Sequence, residues 1–147
     1  MTIADKTARS QTETVSFELE LNHGPQKVWR ALTDPVLLAD WLLPAIGLDE
    51  LAPGTSFRFQ AQPMPGWDGV VNCRVLEVEE HRMLRYAWLV GDMDTIVTFR
   101  LEPSDTGTRL SLEQTGFKDH QKQNFGGARY GWRMMSGKLV EVLATLP

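Results

Sequence analysis

Cysteine is almost missing from this 147-residue chain: Cys73 is the only one. One thiol cannot close a disulfide within the chain or build a thiolate metal site, and such poverty is expected of a reducing cytosol. Long apolar runs are missing too. None approaches the ~20 residues that a bilayer-spanning helix needs, so no membrane partner is expected. Met1 to Glu13 is polar, with no apolar stretch of the kind a secretory signal carries. It reads as a flexible tail (1–13) ahead of one domain over residues 14–147, and the location expected is cytoplasmic. Basic charge is not in excess, since 15 Lys and Arg stand against 19 Asp and Glu for a formal charge of −4. With no Lys/Arg run to localise a basic patch, nucleic acid is not an expected partner.

Catalytic and cofactor motifs are equally scarce. The sequence holds no GxGxxG fingerprint, P-loop or GxSxG turn. His23, His81 and His120 lie at element ends or turns, without metal-ligand spacing. No metal and no cofactor is therefore expected. Cys73 lies on the apolar face of a strand, where a free cysteine is usually a small hydrophobe. An acid–base enzyme needs a carboxylate or histidine inside its cavity. Asp68 and Asp94, at strand ends, are the best placed candidates and both are poor ones, so no catalytic residue is assigned.

What the sequence does have is patterning. A chain this long can bury roughly 70% of its unfolded surface, and five tryptophans (29, 41, 67, 88 and 132) supply large apolar areas. Val15 to Leu21 alternates apolar and polar, the mark of a half-buried strand. Pro25 opens a short helix carrying Val28, Trp29 and Leu32. Asp34 and Pro35 cap and open a second, with Leu38, Trp41 and Leu42 on its apolar side.

Five more strands follow, through Phe57 and Phe59, then Val71, Cys73 and Val75, then Leu84, Tyr86, Trp88 and Val90. The last two run through Thr95, Val97, Phe99 and Leu101, and through Thr108, Leu110 and Leu112. Ser104-Asp-Thr-Gly107 is a hairpin signal between them. Each strand has one apolar face, as in an antiparallel sheet covered on one side. Asn72, Arg74, Arg100 and Glu113 fall on the opposite face, and a slip of one residue would put them inside. From Phe125 onward, Ala128, Trp132, Met135, Leu139, Val142, Leu143 and Leu146 recur at spacings of three and four, an amphipathic helix of about five turns. The order predicts an α+β fold in which a curved six-stranded antiparallel sheet wraps a long C-terminal helix, with two short helices after the first strand.

Pro25 to Trp29, Ala31 to Pro35 and Trp41 together resemble the "P-x-x-V-W-x-A-L-T-D-P … W" start of the START-like (SRPBCC) superfamily, and most of all the group related to the C-terminal domain of the Hsp90 ATPase activator. Pro53-Gly54, Gly69-Val70, Leu84 to Trp88, Val97 to Phe99, Gly107 to Leu110 and Gly131-Trp132 extend the likeness across nearly the whole chain, from about Val15 to Leu146. The resemblance implies the helix-grip fold, in agreement with the patterning. It implies less about the job, because members range from drug-sequestering proteins to a co-chaperone domain, and relatives include lipid carriers and a few cyclases.

Two readings of the aromatic set stay open. Phe57, Phe59, Tyr86, Trp88, Phe99, Trp132 and Met135, with Val71, Cys73 and Val97 on the same faces and Trp67 from the loop Pro63 to Asp68, form either a packed core or the lining of a ligand cavity. In the cavity reading the Tyr86 hydroxyl and the Trp88 and Trp132 indole N–H groups are polar handles, the loop is a lid, and Gly91 to Asp94 lies near the same rim. Gly131 and Gly137 each cost roughly 1 kcal/mol against alanine in a helix, and close approach to the sheet is their expected reason. Gly126-Gly127 is expected to loosen the segment before the helix.

The leading expectation is a non-enzymatic binding protein for a hydrophobic or aromatic small molecule. On the resemblance alone, the alternatives are a module that binds an Hsp90-type chaperone, and a cyclase- or hydrolase-like enzyme. The chain is expected to be a monomer or homodimer.

Overall fold

In the computed structural model, which describes residues 2–8 and 13–147, the chain runs β1 (Thr2–Asp5), β2 (Thr14–Leu21), α1 (Pro25–Thr33), α2 (Pro35–Trp41), β3 (Ala45–Ile46) and β4 (Ser56–Gln60). It continues through β5 (Val70–Glu79), β6 (Met83–Val90), β7 (Met93–Ser104), β8 (Gly107–Thr115), a 3-10 turn (Asp119–Gln121) and α3 (Lys122–Thr145). All strands lie in one antiparallel sheet ordered β1-β2-β8-β7-β6-β5-β4-β3. The α+β helix-grip expectation holds, with eight strands in place of six. The two extra strands are the edges, four and two residues long. Runs that short carry no readable period, and they form because a neighbouring strand offers a ladder. Short edge strands also limit unwanted pairing with other chains.

Part of the expected 1–13 tail, residues 1 and 9–12, lies outside the described residues. Over Thr2–Asp5 the expectation is corrected, because this segment pairs in register with Phe17 to Glu20 of β2. Asp5 ties that strand to α3. Its Oδ2 accepts from Arg129 Nε and, at 3.1 Å, from Arg133 Nη2, one helical turn apart. Burial pushes the Asp5 carboxyl up. Hydrogen bonds from the Thr7 side chain and backbone, and the Arg129 guanidinium, outweigh that and hold it at about 2. A depressed carboxylate stabilises the fold above its ordinary titration range, and that contribution is lost as pH falls from about 4 toward about 2. Asp5→Asn should therefore be less stable than the parent at neutral pH. The difference should shrink across that acid window, as read by urea denaturation at a series of pH values; a difference independent of pH would refute the assignment.

The helices begin where proline and caps allow. Pro25 and Pro35 occupy first turns, and the Asp34 side chain accepts from Val36 N at 2.9 Å. Val15, Phe17, Leu19 and Leu21, with Val97, Phe99, Leu101, Leu110 and Leu112, turn the apolar face of the sheet onto Trp132, Leu139 and Leu143 of α3. Asn72, Arg74, Arg100 and Glu113 are exposed on the other face, so the predicted parity is correct. A bulge between Val75 and Glu77 shifts the register of β5 and leaves Leu76 40% exposed. Among the described residues no helix is long and apolar enough to cross a membrane.

The glycines of α3 differ from expectation. A Cβ built at Gly126, Gly127 or Gly137 meets no atom within 4 Å, and one at Gly131 meets the Met135 terminal methyl at 3.6 Å. Close packing is therefore not their reason, and Gly126-Gly127 lies inside the helix, which starts at Lys122 and not at Phe125. Gly126→Ala and Gly137→Ala should each raise stability by about 0.5–1 kcal/mol, since nothing blocks the methyl and the unfolded chain loses freedom. The midpoint of urea unfolding reads this, and a drop at either site would contradict the open space found there.

Candidate functional site

The concave side of the sheet is occupied in two different ways. Toward β4 it is solid. Phe57 and Phe59 meet edge to face at 5.3 Å, Phe57 lies 5.6 Å from Tyr86, and Tyr86 lies 6.1 Å from Phe99. Trp41 of α2 closes the group edge to face on Phe99 at 6.3 Å, with its indole N–H donating to the Ala31 carbonyl at 2.7 Å. Cys73 and Val97 are buried in the same core. Burial pushes the Cys73 thiol up to about 12 and the Tyr86 phenol well above its ordinary range. Both groups are held neutral, so neither supplies an anionic nucleophile.

Toward the start of α3 the cup is open. A cleft of about 680 Å³ lies between the ends of β6 to β8, the loop before β5 and the first half of α3. Trp67, Val71, Trp88, Trp132 and Met135 line it. Phe57, Phe59, Cys73, Tyr86, Val97 and Phe99 do not, and belong to the packed core described above. The predicted set thus divides between the two readings that patterning left open. Gly66 and Trp67 place the Pro63 to Asp68 loop on one rim, where an isolated bridge joins Met64 to Trp67 and the Trp67 indole donates to the Val70 carbonyl at 3.1 Å. Gly91, Asp92 and Met93 form another rim. Asp68 and Asp94 are exposed and outside the lining; the Asp68 carboxylate caps Val70 N at 3.0 Å.

A buried polar chain borders the cleft. The Trp132 indole N–H donates to Gln114 Oε1 at 2.7 Å, Gln114 Nε2 donates to Thr95 Oγ1 at 3.0 Å, and that hydroxyl donates to the Trp88 carbonyl at 2.7 Å. All four residues are buried. The Trp132 handle is therefore taken by protein. Gln114 was not among the predicted lining residues, although it continues the inward parity of Leu110 and Leu112 along β8. A polar residue in an apolar register was the signal available for it.

At the mouth, Asp92 Oδ2 lies 2.9 Å from His120 Nε2, and the Asp92 carbonyl accepts from Gln121 Nε2 at 3.2 Å. The hydrogen bond with His120 is the main cause that holds the Asp92 carboxyl below its ordinary range. The 3-10 turn is thereby tied to the β6–β7 turn, which joins the start of α3 to the rim. Among the described residues no three histidine, cysteine or acidic side chains come together as a metal site.

The model of the family described as Activator of Hsp90 ATPase homolog 1-like protein matches residues 22–144. Among solved structures, protein MLL2253 from Mesorhizobium loti is 38% identical with a TM-score of 0.84, covering 91% of this chain and 98% of that one. Protein CV1439 from Chromobacterium violaceum is 27% identical with a TM-score of 0.72, over 89% of this chain and 97% of that one. CalU16 from Micromonospora echinospora, at 23% identity, a TM-score of 0.74 and coverage of 98% and 85%, shares the fold. No curated protein matches the chain at a significant level.

Proposed function

The chain belongs to the family described as Activator of Hsp90 ATPase homolog 1-like protein, within the START-like superfamily, and from that premise we propose that it is a non-enzymatic binding protein. Its cleft takes a hydrophobic or aromatic small molecule, for sequestration or transport. The observation that carries this reading is the open space itself: about 680 Å³ beside an otherwise densely packed core, within the size range of small-molecule sites. Burying a ligand's apolar surface against Trp67, Trp88, Trp132 and Met135 supplies about 25 cal/mol per Å².

The make-up of the wall supports binding over catalysis. The floor carries indoles and the Gln114 amide, which do not exchange protons near neutral pH. Among the lining residues the ionisable carboxyl is Asp92, and it sits at the exposed mouth.

The test is titration with the neutral probe N-phenyl-naphthylamine, read by its fluorescence, alongside native mass spectrometry of the purified protein. Ala128 is half-buried on the helix wall, so Ala128→Trp fills the cleft. Saturable binding by the parent, lost in a folded Ala128→Trp protein, is the expected result. No binding by the parent, or binding untouched by the substitution, would overturn the reading. The family's description favours a second reading, docking to an Hsp90-type chaperone, which a pull-down with the purified chaperone would support or remove.

A further inference from the structure

We propose that the cleft is selective by charge, taking planar aromatic cations in preference to neutral analogues and rejecting anions of the same shape. This rests on the reading of the cleft as a small-molecule site. Three indoles contribute to its lining, and the Trp88 and Trp132 rings converge with centroids 5.6 Å apart and planes tilted by 53°. Indole faces carry negative potential, so they attract a flat cation and repel an anion.

Part of the donor set that could serve an anion is already engaged, and the other side-chain donors of the lining, the Trp88 indole N–H and the Gln123 and Asn124 amides, carry no charge. The Trp132 N–H is held by Gln114, the Trp67 N–H by the Val70 carbonyl, and one Gln114 amide hydrogen by Thr95. No lysine or arginine lines the cleft. Arg129 and Arg133, on the helix that forms one wall, are instead paired with Asp5 of β1. An anionic ligand would lose its hydration and gain no countercharge, which is the costly case for burying a charge. Asp92 adds the one formal charge of the lining, a carboxylate at the mouth held by His120 and Gln121. It is 76% exposed, so water screens it; its part is to bias entry and the orientation of a cationic group at the rim. The chain's overall charge of −4 acts in the same direction.

The experiment is isothermal titration of the parent and of Asp92→Asn with N-methylacridinium, acridine and acridine carboxylate, three ligands of one ring system. It is run at about pH 8, where histidine is ordinarily neutral, and at low salt. The expected order for the parent is cation over neutral by roughly fivefold, and cation over anion by at least about tenfold. Asp92→Asn should weaken the cation by about threefold and leave acridine unchanged. Two results overturn charge selection while leaving the binding reading standing: the anion binding as tightly as the cation, or Asp92→Asn weakening all three ligands alike, which would mark Asp92 as a rim strut. Failure of all three ligands to bind would overturn both.

Discussion

Phe99→Ala should cost about 3–5 kcal/mol of folding stability, while Met135→Ala, three residues beyond Trp132 on the gripping helix, should cost about 1 kcal/mol. Phe99 is 1% exposed and touches aromatic rings on three sides, with Trp41, Tyr86 and Trp132 at 6.3, 6.1 and 6.0 Å. Removing it leaves an enclosed void that those rings cannot collapse into. Met135 is half-buried and already borders open volume, so its truncation enlarges a cleft without creating a cavity. The two substitutions separate core from wall, which a change at Trp132 cannot do because it belongs to both. Urea denaturation reads the difference. Equal costs would mean that the division of the cup into a solid and an open half is wrong.

Gln114→Leu is the second large effect, expected to destabilise by about 1–3 kcal/mol. The substitution is close in volume and apolar, so a simple burial argument predicts a neutral or stabilising outcome. The structure predicts the reverse, because Gln114 Oε1 is the acceptor for the Trp132 indole N–H and both residues are 1% exposed. Leucine would strand that donor. If so, Trp132→Phe, which removes the donor, should cost far less in the Gln114→Leu background than in the parent. A coupling of at least about 1 kcal/mol in this double-mutant cycle is the expected result. Strict additivity would show that cleft water satisfies the indole, and that the polar chain contributes nothing beyond its separate parts.

The solid half of the cup explains why a list of aromatic residues could not be turned into a site by reading alone. Phe57, Phe59 and Phe99 alternate along their strands in the same way as Trp88, and period-two patterning reports which face is apolar, not whether a neighbour fills the space above it. Phe99 is core because Trp41 arrives from α2, a helix some 60 residues earlier in the chain. Trp88 packs on Phe59 and Trp132 too, yet it also borders the open space enclosed by the first half of α3 and the Gly91 to Met93 turn. Gly126 and Gly127 illustrate the same limit from the other side. Read as sequence they loosen a segment before a helix; in the fold they are helical and lie in open space, and at Gly127, which lines the cleft, the missing side chain keeps the wall low.

By itself the sequence determined the α+β class, the inward and outward faces of the six longer strands, both proline-opened short helices and the apolar stripe of α3. These follow from local periodicity and capping, which act between residues a few positions apart. It also pointed to the tryptophans and Met135 as candidate walls. Tertiary structure alone decided the two edge strands, the Asp5 tie between β1 and α3, the Gln114 chain and the boundary between packed core and open cleft. Each of these joins residues distant along the chain, with Asp5 and Arg129 separated by 124 positions. Whether such groups meet depends on the curvature of the whole sheet and the seating of one helix in it. No local pattern encodes that geometry.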